Sequence, residues 1–480
     1  MRVNLNRFWL IPALLLSNIP SLPALTAVEA LKAEAGAFDF AVPAPSRLEN
    51  SPLSPRAQWQ AAAKKYSDKT FRPQPQRRID TNESRLIMLQ GFHWYADAYW
   101  YKPANGWWGE VADKAAEIGR AGFDLVWLPP VSKGSYYPTE WYNLDSQWGT
   151  KANLIKAIGA LHASTVKVVA DVVVNHRNGT NDWADFTNPD WPTTVITRDD
   201  EWPGVAGAPY NGKSFNYDSG QGETGCRDLD HTSKAVQDET KIFMRWLKND
   251  IGFDGWRYDM VKGYPANYTQ LYNEASSPIF SVGEFYDGNR QLIANWIDGT
   301  DTGNKVNAST AFDFTTRYSI IAAVESERYE GLNDNGRPSG LIGWWPAKAV
   351  TYVESHDTSP REPNFIKTAS AEYKAQRLMG YAYILTHPGI PCVFWPHYFD
   401  WGQTYKHSLQ MLINIRKTAG ITSTSRMGVL AAGNELYAAV IDGDSQRVVL
   451  KLGRNWGWNP GTGWTLAASD ERYAVWTQQR

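Results

Sequence analysis

The chain has 480 residues, too many for one small core and enough for a large domain with a smaller companion. Its 48 basic and 50 acidic residues leave a net charge of −2 with no basic stripe, which argues against a nucleic-acid or polyanionic partner. Two cysteines, Cys226 and Cys392, cannot build a disulfide framework and read as free thiols. The 23 Trp and 24 Tyr offer flat apolar faces with polar edges, suited to a large core and also to the stacking of sugar rings.

In chain order, Arg2 and Arg7 flank the apolar run 8–16, and the small residues Ala24, Ala27 and Ala30 follow. This is the pattern of a secretory signal peptide over 1–30, and it predicts export to the extracellular or periplasmic space. A plastid transit peptide fits less well, because Glu29 and Glu34 come early. The run is shorter than the about 18 residues a membrane span needs, and nothing later resembles one. Residues 31–80, rich in Ala, Pro, Arg and Gln, read as a leader or linker without sustained periodicity.

From Leu86 on, short apolar runs alternate with amphipathic stretches. The runs cover 86–92, 123–128, 166–174, 255–259, 279–283, 309–314, 349–353 and 390–395, with helix-like segments such as 109–121, 151–162, 233–249 and 371–386 between them. Continuous β-branched and aromatic runs separated by helices predict a parallel sheet, and eight such units predict an α/β fold of the (β/α)8 TIM-barrel type. Asp259 and Glu284 are 25 residues apart, one ordinary unit, but Asp171 and Asp259 are 88 apart. The excess predicts an insertion of roughly 50 residues after the third strand. The domain reading is therefore barrel over 81–176, a small excursion over 177–230, and barrel again over 231–420. A compact antiparallel β domain follows over 421–480, with short strands at 435–441, 447–452, 464–467 and 473–476.

Barrel active sites lie beyond the C-terminal ends of the strands. Those positions carry Asp171, Asn175 and His176 after strand three, and Arg257 and Asp259 on strand four. Strand five contributes Glu284, and strand seven contributes His356 and Asp357. A single Asp at a strand end is more often structural, but this many on one rim point to chemistry. Arg257 and Asp259 are two apart and share a strand face, so the guanidinium should hold Asp259 ionised as a nucleophile. Glu284, among apolar neighbours, should have a raised pKa suited to a general acid. Carboxyls on adjacent strands can lie about 5 Å apart, which predicts retention of anomeric configuration. Asp357 would grip hydroxyls of the distorted sugar.

Four stretches resemble the signature regions of the α-amylase family of glycoside hydrolases, in order. They are Asp171-Val-Val-Val-Asn-His176, Gly255-Trp-Arg-Tyr-Asp-Met-Val-Lys-Gly263, Val282-Gly-Glu-Phe285 and Tyr352-Val-Glu-Ser-His-Asp357. Gln90-Gly91-Phe92-His93-Trp94 and Lys262-Gly263 look most like plant-type and maltotetraose-forming bacterial members. The resemblance implies Asp259 as nucleophile, Glu284 as acid/base and Asp357 as transition-state stabiliser. Arg257, His176 and His356 would surround the scissile sugar, Tyr136 would stack beneath it, and Lys262 would contact the leaving side. It also implies a structural Ca²⁺ between barrel and excursion, held by Asn175, Asp230 and the Gly263 carbonyl, oxygen donors that suit a hard cation. The alternative for Asp230 is a cap on the helix starting near Ser233.

The sequence departs from the family pattern at Ser355, usually Asn, and at Ser135, usually Gly. The expected activity is endo-hydrolysis of α-1,4 bonds in starch, glycogen and maltooligosaccharides by a monomer. The rivals are an exo-acting maltooligosaccharide-forming amylase, a transglycosylase, and a non-catalytic starch-binding scaffold. Trp107-Trp108, Trp344-Trp345 and Trp456 with Trp458 read first as core or loop anchors, and second as starch-docking platforms.

Overall fold

The computed structural model describes residues 53–72, 78–98, 105–303, 308–362 and 364–480. The expected signal peptide over 1–30 lies outside the described residues. Eight parallel strands close a barrel in chain order: β1 (Met88–Gln90), β2 (Leu125–Leu128), β3 (Lys167–Val172), β4 (Gly255–Tyr258), β5 (Phe280–Gly283), β6 (Thr310–Phe312), β7 (Ala349–Tyr352) and β8 (Ile390–Phe394). Closure is made by β1, where Met88 is in register with Leu125 on one side and Cys392 on the other. These are the eight apolar runs of the sequence, each shortened by one to four residues. The strands are buried on both faces, which is why they read as continuous apolar runs rather than alternating ones.

Helices coat the barrel, among them α2 (Gly106–Arg120), α3 (Lys151–Ala163) and α4 (Lys234–Trp246). Thr150 caps α3, its hydroxyl accepting from Asn153 N at 3.3 Å. One correction concerns the leader reading of 31–80. Pro55–Tyr66 is a helix, α1, with Ser54 as its N-cap and Pro55 in its first turn. It packs on α4: Tyr66 is buried and bonds Asp250 at 2.8 Å, and Asp68 pairs with Lys241 at 2.8 Å and Arg245 at 2.7 Å. Ala62 and Tyr66 are buried in the core and Trp59 packs against it, but a helix of mostly Ala, Gln and Lys shows little hydrophobic contrast from which to read that face.

The excursion is irregular, as its composition implied, and is closed at its neck by a short antiparallel pairing of His176–Arg177 with Arg227–Asp228. Arg177 and Arg227 are both fully buried there. Arg177 donates to the carbonyls of Thr139, Thr187 and Pro189, replacing ladder bonds the loop cannot make. Beyond the barrel, Met427–Ala432 (β9), Tyr437–Asp442 (β10), Gln446–Leu452 (β11), Thr465–Ser469 (β12) and Tyr473–Gln479 (β13) form one antiparallel sheet. Sequence reading missed β9, an edge strand (Met-Gly-Val-Leu-Ala-Ala) in which no side chain is fully buried and Leu430 is exposed, so no alternation marks it. Cys226 and Cys392 are buried free thiols. Trp107 and Trp108 are fully buried core residues, whereas Trp344 and Trp456 are exposed.

The loop after β2 carries Tyr136 toward the strand ends. Its Ser135 occupies the left-handed region at φ 54°, buried, with a hydroxyl that has no hydrogen-bond partner. A side chain in that conformation costs on the order of 1 kcal/mol, which glycine avoids. Ser135→Gly is therefore expected to raise stability by about 1 kcal/mol, read as a higher denaturation midpoint. A lower midpoint would show that the serine is not strained.

Candidate active site

The barrel register sets the site. Asp171 on β3 stands directly opposite Arg257 on β4, and β4 lies beside β5, which ends at Gly283, just before Glu284. Just past the strands, Asp259 N donates to Val172 O at 3.1 Å and Glu284 N to Tyr258 O at 3.0 Å, so the ladder pattern carries both carboxyls onto the rim.

Arg257, 1 % exposed, reaches all three acids. Its Nη1 donates to Asp171 Oδ1 at 2.8 Å and to Asp259 Oδ1 at 2.6 Å, and its Nη2 pairs with Glu284 Oε2 at 2.9 Å. Besides Asp259, the guanidinium thus also engages Asp171 and Glu284, contacts the sequence reading did not include. Asp171 is anchored further by Trp127 Nε1 at 3.0 Å and the Tyr136 hydroxyl at 2.8 Å. The Arg257 guanidinium lies 4.9 Å from the Trp127 ring centre.

Burial dominates the electrostatics. It pushes Glu284 up to about 8, with the Asp259 and Asp357 charges adding and Arg257 opposing. It pushes Asp259 and Asp171 up to about 6, Arg257 again opposing. Glu284 therefore holds its proton where Asp259 has lost one, the division of labour an acid and a nucleophile require.

His356 and Asp357 close the other side. Burial lowers His356 to about 4, so the ring is neutral. The Gln90 amide donates to Nδ1 at 3.0 Å, leaving Nε2–H to meet Asp357 Oδ2 at 3.1 Å. Tyr136 stacks on His356 with ring centres 5.2 Å apart and planes 13° off parallel. At the departure from the family pattern, Ser355 Oγ accepts from Asp357 N at 3.3 Å and so helps hold that turn.

Other predicted residues are placed differently. His176, kept neutral by burial, donates to the Tyr136 carbonyl at 2.9 Å and reaches the acids only through that loop. Lys262 is turned to Asp287 at 3.0 Å and to the Tyr286 carbonyl. Asn175 and Gly263 touch: a Cβ on Gly263 would stand 1.9 Å from Asn175 Oδ1, so only glycine fits. Asp230 is already engaged, accepting from Ser214 Oγ at 2.6 Å, Asn216 Nδ2 at 2.9 Å and Thr232 N at 2.9 Å.

Sequence reading missed the acid group at the excursion neck. Carboxylate oxygens of Asp200, Glu201 and Asp228 lie within 4.8 Å of one another. Burial, with the neighbouring acid charges adding, raises Asp228 to about 7. The Asp218 carboxylate beside them keeps a buried oxygen without a hydrogen-bond partner. Arg227 pairs with Asp200 and Glu201 at 2.8 Å each but leaves the group acid-rich. Trp127, Gln90 and Arg361 were also missed, although Trp127 stands at a strand end where the rim rule would have found it.

Residues 75–397 match the family description "Alpha amylase, catalytic domain", and 418–477 match "Alpha-amylase C-terminal beta-sheet domain". The chain is 35 % identical over 422 residues to "Probable alpha-amylase 2" of Arabidopsis thaliana, covering 82 % of this chain and 94 % of that protein. It is 32 % identical over 418 residues to "Alpha-amylase 3, chloroplastic" of the same plant, covering 81 % of this chain and 44 % of the relative. A solved Anoxybacillus α-amylase superposes with a TM-score of 0.61 at 15 % identity, over 84 % of this chain and 99 % of that one, a likeness of fold. With the catalytic domain and the C-terminal sheet domain both matching in one chain, and a relative 35 % identical over most of its length, this protein belongs to the α-amylase family of glycoside hydrolases.

Proposed function

We propose that the protein is an α-amylase that hydrolyses internal α-1,4 bonds of starch and maltooligosaccharides with retention, using Asp259, Glu284 and Asp357. The observation that carries this reading is the single buried guanidinium of Arg257 joined to both Asp259 and Glu284. Two carboxyls sharing one guanidinium fit the separation of about 5–5.5 Å used by retaining enzymes. Glu284 delivers its proton to the glycosidic oxygen while Asp259 attacks the anomeric carbon and forms a covalent glycosyl-enzyme. Glu284, now ionised, then takes a proton from water, which attacks the same carbon and releases Asp259. Asp357 holds hydroxyls of the flattened ring, and Tyr136 and His356 give that ring an aromatic floor and a polar wall.

A Ca²⁺ ion at the excursion neck belongs to the same reading. Asn175, the Gly263 carbonyl and Asp230 would hold it, with Asp200, Glu201 and Asp228 as a second oxygen-only group nearby. The raised Asp228 carboxyl and the unpartnered Asp218 oxygen support a cation there, because uncompensated buried negative charge is costly. The ion's contribution is structural, tying the excursion to the barrel. The segment 1–30 supports export, and the protein acts as a monomer; no helix of the described residues is long and apolar enough to cross a membrane.

Reducing-sugar release from soluble starch tests the carboxyl roles. Glu284→Gln should lower turnover by about 10²–10⁴-fold while the protein still binds starch. A wild type that binds without turnover would instead support a scaffold, and one dominant early product would support exo action. The pH profile is a second check. Asp259, coupled to Asp171 through Arg257, must be ionised, so kcat/KM should rise through about 6; Glu284 must be protonated, so it should fall above about 8. A profile still rising above pH 9 would contradict the Glu284 assignment. Chelation by EDTA should lower the melting midpoint, and Asp228→Asn should reduce that response; an unchanged midpoint in wild type would remove the calcium assignment.

A further inference from the structure

Asp357 differs from the other two acids in the cation it meets. Asp259 and Glu284 share Arg257, which is buried and fixed by three acids. Asp357 Oδ1 instead takes Arg361 Nη2 at 3.0 Å, from a side chain 62 % exposed in the loop after β7. That loop is tied down twice: the Arg361 guanidinium lies 4.9 Å from the Trp94 ring centre, and the Tyr95 hydroxyl donates to the Arg361 carbonyl. Trp94 itself packs against Tyr136 and His356, with ring centres 5.5 and 5.2 Å away. An exposed cation is thus held at the edge of the site, on the carboxylate that has to receive sugar hydroxyls. With Oδ2 facing His356, both oxygens of Asp357 have partners before any sugar arrives.

We infer that Arg361 is a positioning residue that holds Asp357 in the free enzyme and releases it to the incoming sugar hydroxyls, so that the strength of this pair sets substrate affinity. The inference rests on reading Asp357 as a catalytic carboxylate. Exposure is what makes the exchange feasible. A solvated ion pair is weak and screened by salt, whereas a buried one such as Arg257 with Asp171 would not dissociate for a neutral ligand. The Trp94 contact gives the released guanidinium a place to stay, over the ring face.

The test is initial-rate kinetics on maltoheptaose for wild type, Arg361→Gln, Arg361→Lys and Asp357→Asn, from about 20 mM to about 0.5 M NaCl. In wild type, KM should fall as salt screens the pair. Arg361→Gln should show a KM about two- to five-fold lower at low salt and a flat salt response, with the effect in KM rather than kcat. Arg361→Lys should restore the salt response. Equal melting midpoints for wild type and Arg361→Gln would keep folding out of the comparison; if they differ, Arg361→Lys against wild type carries the test through its salt slope. A KM raised by Arg361→Gln would mean that the arginine binds substrate directly, and an unchanged KM with the wild-type salt slope would mean that it does nothing to Asp357. Either overturns the inference. Asp357→Asn should be nearly inactive; if it were fully active, the catalytic reading of Asp357 would fall, a result distinct from any outcome at Arg361.

Discussion

One buried cation serves three carboxyls, the buried Asp171 and Asp259 and the half-buried Glu284, and the rest of the site depends on that imbalance. Arg257 binds Asp171 and Asp259 through one nitrogen and Glu284 through the other. Three ionised acids around a single guanidinium, largely withdrawn from water, would leave a net negative charge that a low-dielectric site opposes. The stable solution keeps a proton on one acid. Glu284 holds it most firmly: burial raises all three, but Glu284 rises furthest, under the added field of Asp259 and Asp357. Acid and nucleophile are thus separated by the same arrangement that holds them together.

That arrangement is a product of barrel geometry. Parallel strands put Asp171 and Arg257 in register, and the next strand ends one carboxyl further round. Neutral donors complete the balance without adding charge. The Trp127 indole and the Tyr136 hydroxyl both bind Asp171, so its charge is shared and Arg257 remains available to the other two acids. Loops then supply what the strands cannot. The β2 loop brings Tyr136 through a left-handed Ser135, and the β7 turn brings Asp357 through a bond to Ser355. The same loop carries Arg361 to the outer edge of the site, where solvent weakens its hold on Asp357.

Much of this was legible in the residues. All eight barrel strands were found because strands covered on both faces must be apolar along their whole length. Asp171, Arg257, Asp259, Glu284, His356 and Asp357 were placed at strand ends by a rule tied to position along the chain, and the structure gathers them on one rim. The helix Pro55–Tyr66 was not found, since only Ala62 and Tyr66 are buried in it and the ion pairs that anchor the segment, such as Lys65 with Asp250 and Asp68 with Lys241 and Arg245, join residues far apart in the chain. Nor was the group of Asp200, Glu201 and Asp228, in which Asp228 lies 27 residues beyond Glu201 and meets the pair only where the excursion folds back on its neck. Lys262, read from its motif as contacting the leaving side, pairs with Asp287, a partner that a motif does not record because it carries identity but no side-chain direction.

What the sequence by itself determined, then, was much of what local order sets: the strand and helix alternation of the barrel, the acids at the ends of β3, β4, β5 and β7, and the family. Hydrophobic periodicity and the two-residue alternation of a strand act over a few positions and can be read along a line. Only the tertiary structure decided how charge is shared. That Arg257 holds three acids rather than one, that Trp127 and Gln90 set the state of Asp171 and His356, and that Arg361 rests on Asp357 all depend on contacts between distant segments. Coulomb energies and desolvation depend on distance and burial in space, and neither is written in the spacing of residues along the chain.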